Sequence, residues 1–416
     1  MGVVAPFGVE IVVAPGSTAA VLAFVCGGVL LGTVSGLLPG LHANNMALLL
    51  AASAGAVPGP PRLVGAAMLA AGTVHTFLDV VPTLALGVPD PAMAASALPG
   101  HELVLAGRGR EALRLSALGS GLAVALAVPL AIPVTRLMTG VYPTLSAHLP
   151  AVLSAIVVGL VTTEPSYRRK LGAALSVGAS GLLGLVALDG PANGIVDAGG
   201  MLAPLFAGLF GAPVLIEAIG GAGIPEQDDP TVTESRASVG ALASLGTVAG
   251  AIVGYVPGVS SAIAATGALL AVPGRFGARG FVVTTSGVNT ANSIFALFAL
   301  VALGSPRTGV LVAVDEAGVP LNLPIMLASI ALAAGAGFLL VLVVGDRYLR
   351  VVGAVDYTAL SLSVLAVLVV LSYVFAGPVG VAVFGISTAV GLIPPRFGAR
   401  RATLMGVLLV PLIAQM

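Results

Sequence analysis

Long stretches without a charged residue constrain this chain more than any other feature. No Asp, Glu, Lys or Arg occurs in five runs: residues 11–61, 237–274, 280–306, 317–345 and 357–395. Only 8% of the residues are charged, whereas soluble domains carry about a quarter. A helix needs about 20 apolar residues to cross a bilayer, so the runs predict an all-α polytopic membrane protein with about ten to twelve spanning segments.

Two of these runs are interrupted by the same pattern. Residues 36–40 read Gly-Leu-Leu-Pro-Gly, and residues 254–258 read Gly-Tyr-Val-Pro-Gly. Proline removes a backbone donor and glycine permits left-handed backbone, so each pattern predicts that one apolar helix ends and another begins. Broken helices at membrane depth are tolerated where they line a cavity or are buried in protein, and in transporters they form the binding site.

The breaks recur at a constant spacing. Gly36 and Gly254 are 218 residues apart, and the glycines of a second repeated pattern, Leu-Gly-x-Pro at 86–89 and 303–306, are 217 apart. Such spacing predicts an internal duplication. We divide the chain accordingly into a first repeat at 1–222, a polar linker at 223–236 and a second repeat at 237–416. Whether the repeats are inverted or parallel stays open.

The two G-x-x-P-G breaks are the predicted substrate site. Beyond each break the chain resumes a helical pattern, and the N–H groups of a first helical turn attract anions such as carboxylates. The predicted substrate-binding residues here are Gly36, Pro39, Gly40, His42, Asn44, Asn45, Gly254, Pro257, Gly258, Ser260 and Ser261. The simpler interpretation is that the polar side chains only cap the new helices.

One acidic residue falls inside a predicted span. Asp79 lies four residues after His75, on the same helix face, and an ionisable residue at membrane depth is a candidate functional group because burying its charge is costly. We predict that Asp79 binds the coupling ion, H⁺ or Na⁺, with His75 as its partner. The alternative is a buried pair that only fixes helix packing, since Ala296 occupies the duplicated position.

Polar residues also occur in the corresponding parts of the second half. Asn289 and Asn292 interrupt an apolar run, and we predict that both bind substrate. Asp90 and Arg307 follow the two Leu-Gly-x-Pro breaks. Asp90 is a further candidate for ion coupling, and Arg307 is a candidate to hold a substrate carboxylate with both of its terminal nitrogens. The alternatives are an ion pair between them or two ordinary loop charges.

The order of these motifs resembles the large membrane permease of the tripartite tricarboxylate transporters. The resemblance rests on both types of break, on the glycine-rich connector 98–113 followed by 116–120, and on residues 286–306. It implies secondary, ion-driven uptake of small organic anions, di- or tricarboxylates, across the cytoplasmic membrane. It also implies two partners, an extracytoplasmic solute-binding protein and a small membrane subunit, and no cofactor beyond the coupling ion.

The chain departs from the family pattern in two places. Residues 99–102, Pro-Gly-His-Glu, stand where the family has Asp-Gly-Tyr, and residues 42–45, His-Ala-Asn-Asn, replace a mostly small, apolar run. These departures bear on the substrate more than on the architecture.

Other classes of function are less well supported by the sequence. A net charge of zero argues against nucleic-acid binding and against a polybasic lipid anchor. A lipid-linked, polyprenyl-phosphate-type translocase remains an alternative. So does an intramembrane metal-dependent enzyme using His42, His75 and His101, although no H-E-x-x-H motif or cysteine ligand set is present. Association with further copies of the chain stays open.

Overall fold

A computed structural model describes residues 2–5, 9–12, 15–39, 41, 46–47, 50, 56–88, 93–94, 97–196, 200–221, 223–229, 231–256 and 259–416. The regular secondary structure of this part of the chain is helical apart from one short hairpin, in which β1 (Gly2–Ala5) pairs antiparallel with β2 (Val9–Val12). The hairpin is the one departure from the predicted all-α class, and its strands are too short to stand out as a pattern in the sequence. The predicted helical, polytopic class is confirmed.

The helices of the first part of the chain are α1 (Pro15–Leu37), α2 (Pro61–Leu78), α3 (Val80–Leu86), α4 (Ala97–Leu105), α5 (Gly109–Thr162), α6 (Tyr167–Ala187), α7 (Leu202–Phe206) and α8 (Ala212–Ala218), the last two joined by a π-helical turn. The later helices are α9 (Arg236–Tyr255), α10 (Ser261–Ala271), α11 (Gly277–Leu303), α12 (Gly309–Glu316), α13 (Leu323–Ala354), α14 (Tyr357–Gly391), α15 (Ile393–Phe397) and α16 (Gly406–Ala414). Short 3₁₀ turns precede α11 and α16.

Eight helices in the described part of the chain are long and apolar enough to cross a membrane. Eight helices are fewer than the ten to twelve predicted spans because α5 and α14 are each continuous over a stretch of sequence that is long enough for more than one span. Three shorter apolar segments, 202–218, 261–271 and 401–414, supplement them.

Glycines spaced four apart bring two pairs of helices into backbone contact. In α1, a Cβ on Gly32 would lie 2.3 Å from the Ala71 carbonyl oxygen of α2. In α9, a Cβ on Gly250 would lie 2.8 Å from the Val288 carbonyl oxygen of α11. The neighbouring glycines make the same kind of contact: Gly28 and Gly36 on α1, and Gly246 and Gly254 on α9. Successive glycines along one helix contact successively later residues of the other helix. Helix α1 therefore runs parallel to α2, and α9 runs parallel to α11.

Side-chain contacts also set the directions of the central helices. α5 runs parallel to α11, since Ser116 contacts Ser286 and Ser120 contacts Thr290. α5 runs antiparallel to α13, where Gly345 packs on Leu113 and Phe338 packs near Gly121.

α13 in turn runs parallel to α2. Ile330 lines a small void together with Leu69 and Thr73, and one to two turns later Gly337 packs on Phe77. Helix α2 is therefore antiparallel to α11.

Most of the positive charge lies at one end of the molecule, which we name the basic end. There Glu111 at the start of α5 binds Arg279 at the start of α11 and Thr233 of the linker. Glu217 in the last turn of α8 binds Arg401, and nearby Glu164, just after α5, binds Arg400 at 2.8 Å. Its cationic residues are Arg108, Arg110, Arg114, Arg168, Arg169, Lys170, Arg236, Arg275, Arg279, Arg347, Arg350, Arg396, Arg400 and Arg401.

Helix α5 begins and ends at the basic end, where Arg110 and Glu164 lie. A straight helix of its 54 residues would be about 81 Å long, much longer than the roughly 30 Å of hydrocarbon. The helix therefore turns back on itself. Four prolines, which interrupt helical hydrogen bonding, occur along it at 129, 133, 143 and 150.

Helix α14 also reverses direction. Gly377 has φ 66° and ψ −159°, a conformation open to glycine, and Pro378 follows it. Leu368 before this turn packs near Gly211, and Gly391 after it packs on Leu209. The two arms of α14 thus lie side by side against the segment of α7, the π turn and α8.

Candidate substrate and ion site

The first helix break lies against the junction of α2 and α3. Helix α1 ends at Leu37, and a Cβ on Gly36 would lie 3.2 Å from the His75 carbonyl oxygen and 3.3 Å from the Asp79 nitrogen. Asp79 has helical backbone angles and its N–H donates to the His75 carbonyl oxygen at 2.9 Å. Helices α2 and α3 therefore continue as one span beside the break. Pro39 lies in the turn that follows α1.

His75 and Asp79 are fully enclosed, with exposed fractions of 0% and 3%. His75 Nδ1 lies 3.0 Å from the hydroxyl of Ser35 on α1. Asp79 Oδ2 accepts a hydrogen bond from the side-chain amide of Asn289 on α11 at 2.6 Å. The two predicted coupling residues thus contact different helices, and the carboxylate is bonded to the second half of the chain.

Asn289 and Asn292, both predicted to bind substrate, have different hydrogen-bond partners in the structure. Asn289 binds Asp79, whereas the Asn292 amide donates to the hydroxyl of Ser261 at 2.8 Å. The asparagines lie on α11 one turn apart, so they join the buried carboxylate to the second helix break.

The second break lies between α9 and α10. Helix α9 ends at Tyr255, whose hydroxyl lies 2.5 Å from that of Thr135 on α5. Helix α10 starts at Ser261, and the hydroxyl of Ser260 accepts a hydrogen bond from the backbone N–H of Ile263. The predicted capping role of Ser260 is therefore present.

Asn292 has a second, unused polar atom at this position. Its side chain is 8% exposed, and its Oδ1 accepts no hydrogen bond from the residues that the structure describes. The amide is thus held by Ser261 and retains a buried acceptor beside the start of α10.

A row of hydroxyl groups links the central helices next to Asp79. The hydroxyls of Thr76 and Thr290 lie 3.4 Å apart across α2 and α11. Thr290 donates to Ser120 of α5 at 2.9 Å. Sequence reasoning did not single out Ser35, Thr76, Ser116 or Ser120 as site residues. Serines at i and i+4, as at 116 and 120, are the signal that could have found two of them.

In both Leu-Gly-x-Pro breaks the glycine has a left-handed backbone conformation. Gly87 (φ 68°) ends α3 and Gly304 (φ 63°) ends α11. Arg307 lies in the following loop, half-buried, and its Nε makes no hydrogen bond with a described residue. The proposed pairing of Arg307 with Asp90 involves a residue outside the described part of the chain.

Several predicted site residues lie outside the described residues, and their placement stays a prediction. They are Gly40, His42, Asn44, Asn45, Asp90, Pro257 and Gly258. The described residues contain no group of three His, Cys, Asp or Glu side chains that could hold a metal ion. His101, one member of the metal alternative, instead places Nδ1 2.7 Å from the Leu84 carbonyl oxygen.

The fold and the site define a polytopic membrane protein in which helix breaks adjoin a buried carboxylate, an arrangement typical of secondary transporters. The model of the tripartite tricarboxylate transporter TctA family matches residues 22–406, so the chain belongs to this family. The resemblance seen in the motifs is thereby confirmed.

The chain also resembles an uncharacterized protein of Methanocaldococcus jannaschii. The two are 26% identical over 402 residues, which cover 93% of this chain and 96% of the relative. No solved structure matches the chain.

Proposed function

We propose that this protein is a secondary active permease that moves a small organic anion, a di- or tricarboxylate, across the cytoplasmic membrane with H⁺ or Na⁺. Family membership supports the transporter class and the permease role. The observation that carries the ion coupling is the 2.6 Å bond between Asp79 and Asn289, both of which are buried. A buried carboxylate in such a place is the natural binding group for a cation.

We further propose that the two halves are inverted repeats. The support is that glycines 218 residues apart make matching contacts: Gly36 packs on Leu78 and Asp79, and Gly254 packs on Phe295 and Ala296. Since α2 is antiparallel to its counterpart α11, the repeats would have opposite directions in the membrane. Inverted repeats let a single site between them open alternately to either side.

The anionic substrate would bind where the breaks adjoin the Asp79–Asn289 pair. At the second break, Asn292 and Ser261 supply polar atoms next to the first turn of α10. The N–H groups of that turn favour a carboxylate. Gly36 and Pro39 would supply the matching edge at the first break, with His42, Asn44, Asn45 and Arg307 as further candidate ligands.

The coupling step follows from the cost of bringing an anion close to a buried carboxylate. Like charges in a low-dielectric interior repel strongly, so a cation on Asp79 would have to bind before or with the substrate. Because Asp79 lies at the junction of α2 and α3 in the first half and Asn289 lies on α11 in the second, cation binding would also alter the contact between the two halves. One half would then move against the other and expose the site to the opposite face.

Partners follow from the family description. A tripartite transporter has three components, and we propose that this permease works with an extracytoplasmic solute-binding protein and a small membrane subunit. Membership in a transporter family favours a carrier over the metal-dependent enzyme. A lipid-linked substrate would be the outcome to consider if no carboxylate is transported.

The test is uptake by the purified protein in liposomes, with labelled di- and tricarboxylates under an imposed Na⁺ or pH gradient. We expect gradient-driven accumulation, and we expect Asp79→Asn to abolish it while leaving substrate exchange across the membrane without a gradient. Loss of coupling with retained exchange separates a coupling role from a merely structural one. Unchanged gradient dependence in the Asp79→Asn variant would refute the assignment.

A matched control is Glu164→Gln. It also replaces a buried carboxylate by its neutral isostere, but Glu164 lies at the basic end and binds Arg400. This variant should keep the ion dependence of the unmodified protein. If the unmodified protein and the Glu164→Gln variant both fail to transport a carboxylate, the experiment is repeated with the solute-binding protein and the small membrane subunit added to the liposomes.

A further inference from the structure

An arginine-lined pocket opens at the basic end, away from the proposed substrate site. It has a volume of about 460 Å³ and lies between the first turns of α5 and the last turns of α13. Its polar lining consists of Arg110, Arg114, Asp346, Arg347 and Arg350, and its apolar lining consists of Leu113, Leu342 and Val343.

The pocket carries an excess of positive charge. Asp346 is its one carboxylate, and it already binds Arg110 at 2.6 Å and also binds Arg350. Arg114 and Arg347 are exposed and form no ion pair within the described part of the chain. The lining thus has four guanidinium groups and one carboxylate, an excess of positive charge that a bound anion would balance. Guanidinium groups bind phosphate with two parallel hydrogen bonds, so a phosphate suits this lining.

The apolar side of the pocket indicates which phosphate compound fits. Leu342 and Val343 continue the exposed apolar surface of α13, where Val343 is 53% exposed and Leu339, one turn deeper, is 63% exposed. A free phosphate would use only the arginines. A phospholipid would place its phosphate among the arginines and its acyl chains along Val343 and Leu339.

The location agrees with this occupant. The basic end holds all lysines and arginines of the chain except Arg62, Arg136 and Arg307, so the positive-inside rule predicts that it faces the cytoplasm. Anionic lipids of the cytoplasmic leaflet bind in basic pockets between membrane helices.

We propose that this pocket binds the headgroup of an anionic phospholipid. The lipid contacts α5 in the first half of the chain and α13 in the second, and it therefore fastens the two halves together at the cytoplasmic side. The substitution pair that tests the site is R114Q/R347Q, since both side chains are exposed and neither carries a described bond.

The experiment measures thermal unfolding of the detergent-purified full chain with added phosphatidylglycerol, phosphatidylcholine or inorganic phosphate. Phosphatidylglycerol should raise Tm saturably, and phosphatidylcholine and phosphate at equal concentration should not. R114Q/R347Q should keep the same Tm without lipid but need at least tenfold more phosphatidylglycerol for the same rise. Native mass spectrometry should show that R114Q/R347Q retains one phosphatidylglycerol molecule fewer than the unmodified protein.

The control is K170Q/R236Q, which removes the same charge from exposed residues elsewhere at the basic end. An equal loss of response in this control would mean that the lipid responds to surface charge in general, and would overturn the proposal. Equal stabilisation by inorganic phosphate, lost in R114Q/R347Q, would also overturn it, because the occupant would then be a soluble phosphate.

Discussion

At the residue scale, the contact between Asp79 and Asn289 has the largest expected effect on function. The amide holds one carboxylate oxygen at 2.6 Å, and a hydrogen bond to a charged group is worth about 1.5–3 kcal/mol. Asn289 therefore holds the carboxylate in position. The second half has Ala296 at the position equivalent to Asp79. The first half alone therefore supplies a carboxylate at this position of the duplicated pattern.

Asn289→Ala should change the apparent affinity for the coupling ion by roughly tenfold to a hundredfold, since a hydrogen bond to a charged group is worth about 1.5–3 kcal/mol and about 1.4 kcal/mol corresponds to tenfold. If the ion is Na⁺, its affinity should fall, because the carboxylate that binds it is no longer held in place. If the ion is H⁺, its affinity should rise, because the charged form of the carboxylate loses a hydrogen-bond donor. The measurement is the initial uptake rate as a function of Na⁺ or H⁺ concentration in liposomes. Asn193→Ala, which truncates an exposed asparagine, is the control and should leave the ion affinity unchanged. A change in maximal rate alone, at unchanged ion affinity, would contradict the role given to Asn289.

At the scale of elements, the close helix pairs α1–α2 and α9–α11 hold the breaks in position. Each pair relies on three glycines spaced four apart, which allow backbone contact that any Cβ would block. In α9, Gly250 and Gly254 face α11, whereas Gly240 has no atom within 4 Å of a Cβ position. Helix α9 thus contains one glycine, Gly250, where a Cβ would clash with α11, and another, Gly240, where a Cβ would meet no other atom.

Gly250→Ala should destabilise the protein by about 1–3 kcal/mol, because the new methyl group would overlap Val288 and Ala291 on α11. Gly240→Ala should be neutral or stabilising by up to about 1 kcal/mol, because alanine favours helix more than glycine does. Thermal unfolding in detergent compares the two. Equal stability of both variants would mean that α9 and α11 pack less closely than described here.

At the scale of the whole molecule, the distribution of charge predicts the orientation in the membrane. The basic end includes the linker and both ends of α5, and the turn of α5 lies at the opposite face. The positive-inside rule places the basic end in the cytoplasm. Arg168, Arg169 and Lys170, three consecutive basic residues, lie at this end.

Single cysteines can check this orientation, because Cys26 is the only native cysteine. In a Cys26→Ser background, a membrane-impermeant maleimide should label Thr144→Cys in intact cells and Glu226→Cys only after the membrane is opened. Both positions are exposed. The reverse labelling pattern would place the basic end outside and would remove the cytoplasmic leaflet as the source of the proposed lipid.

Composition and motif order by themselves determined the class of this protein and its family. Charge-free runs are long enough only for membrane helices, and proline with glycine predicts a helix break wherever it stands, because both effects act within a few residues. They also selected Asp79, since a carboxylate in an apolar run is conspicuous without any structure.

Only the tertiary structure decided which residues meet. The bond from Asp79 to Asn289 joins residues 210 positions apart, and the arginine pocket combines residues of α5 and α13. Helix directions, the reversal of α5 and the different partners of Asn289 and Asn292 likewise depend on packing between distant segments. No local propensity encodes such contacts, because they arise from how apolar faces and small residues fit together across the whole chain.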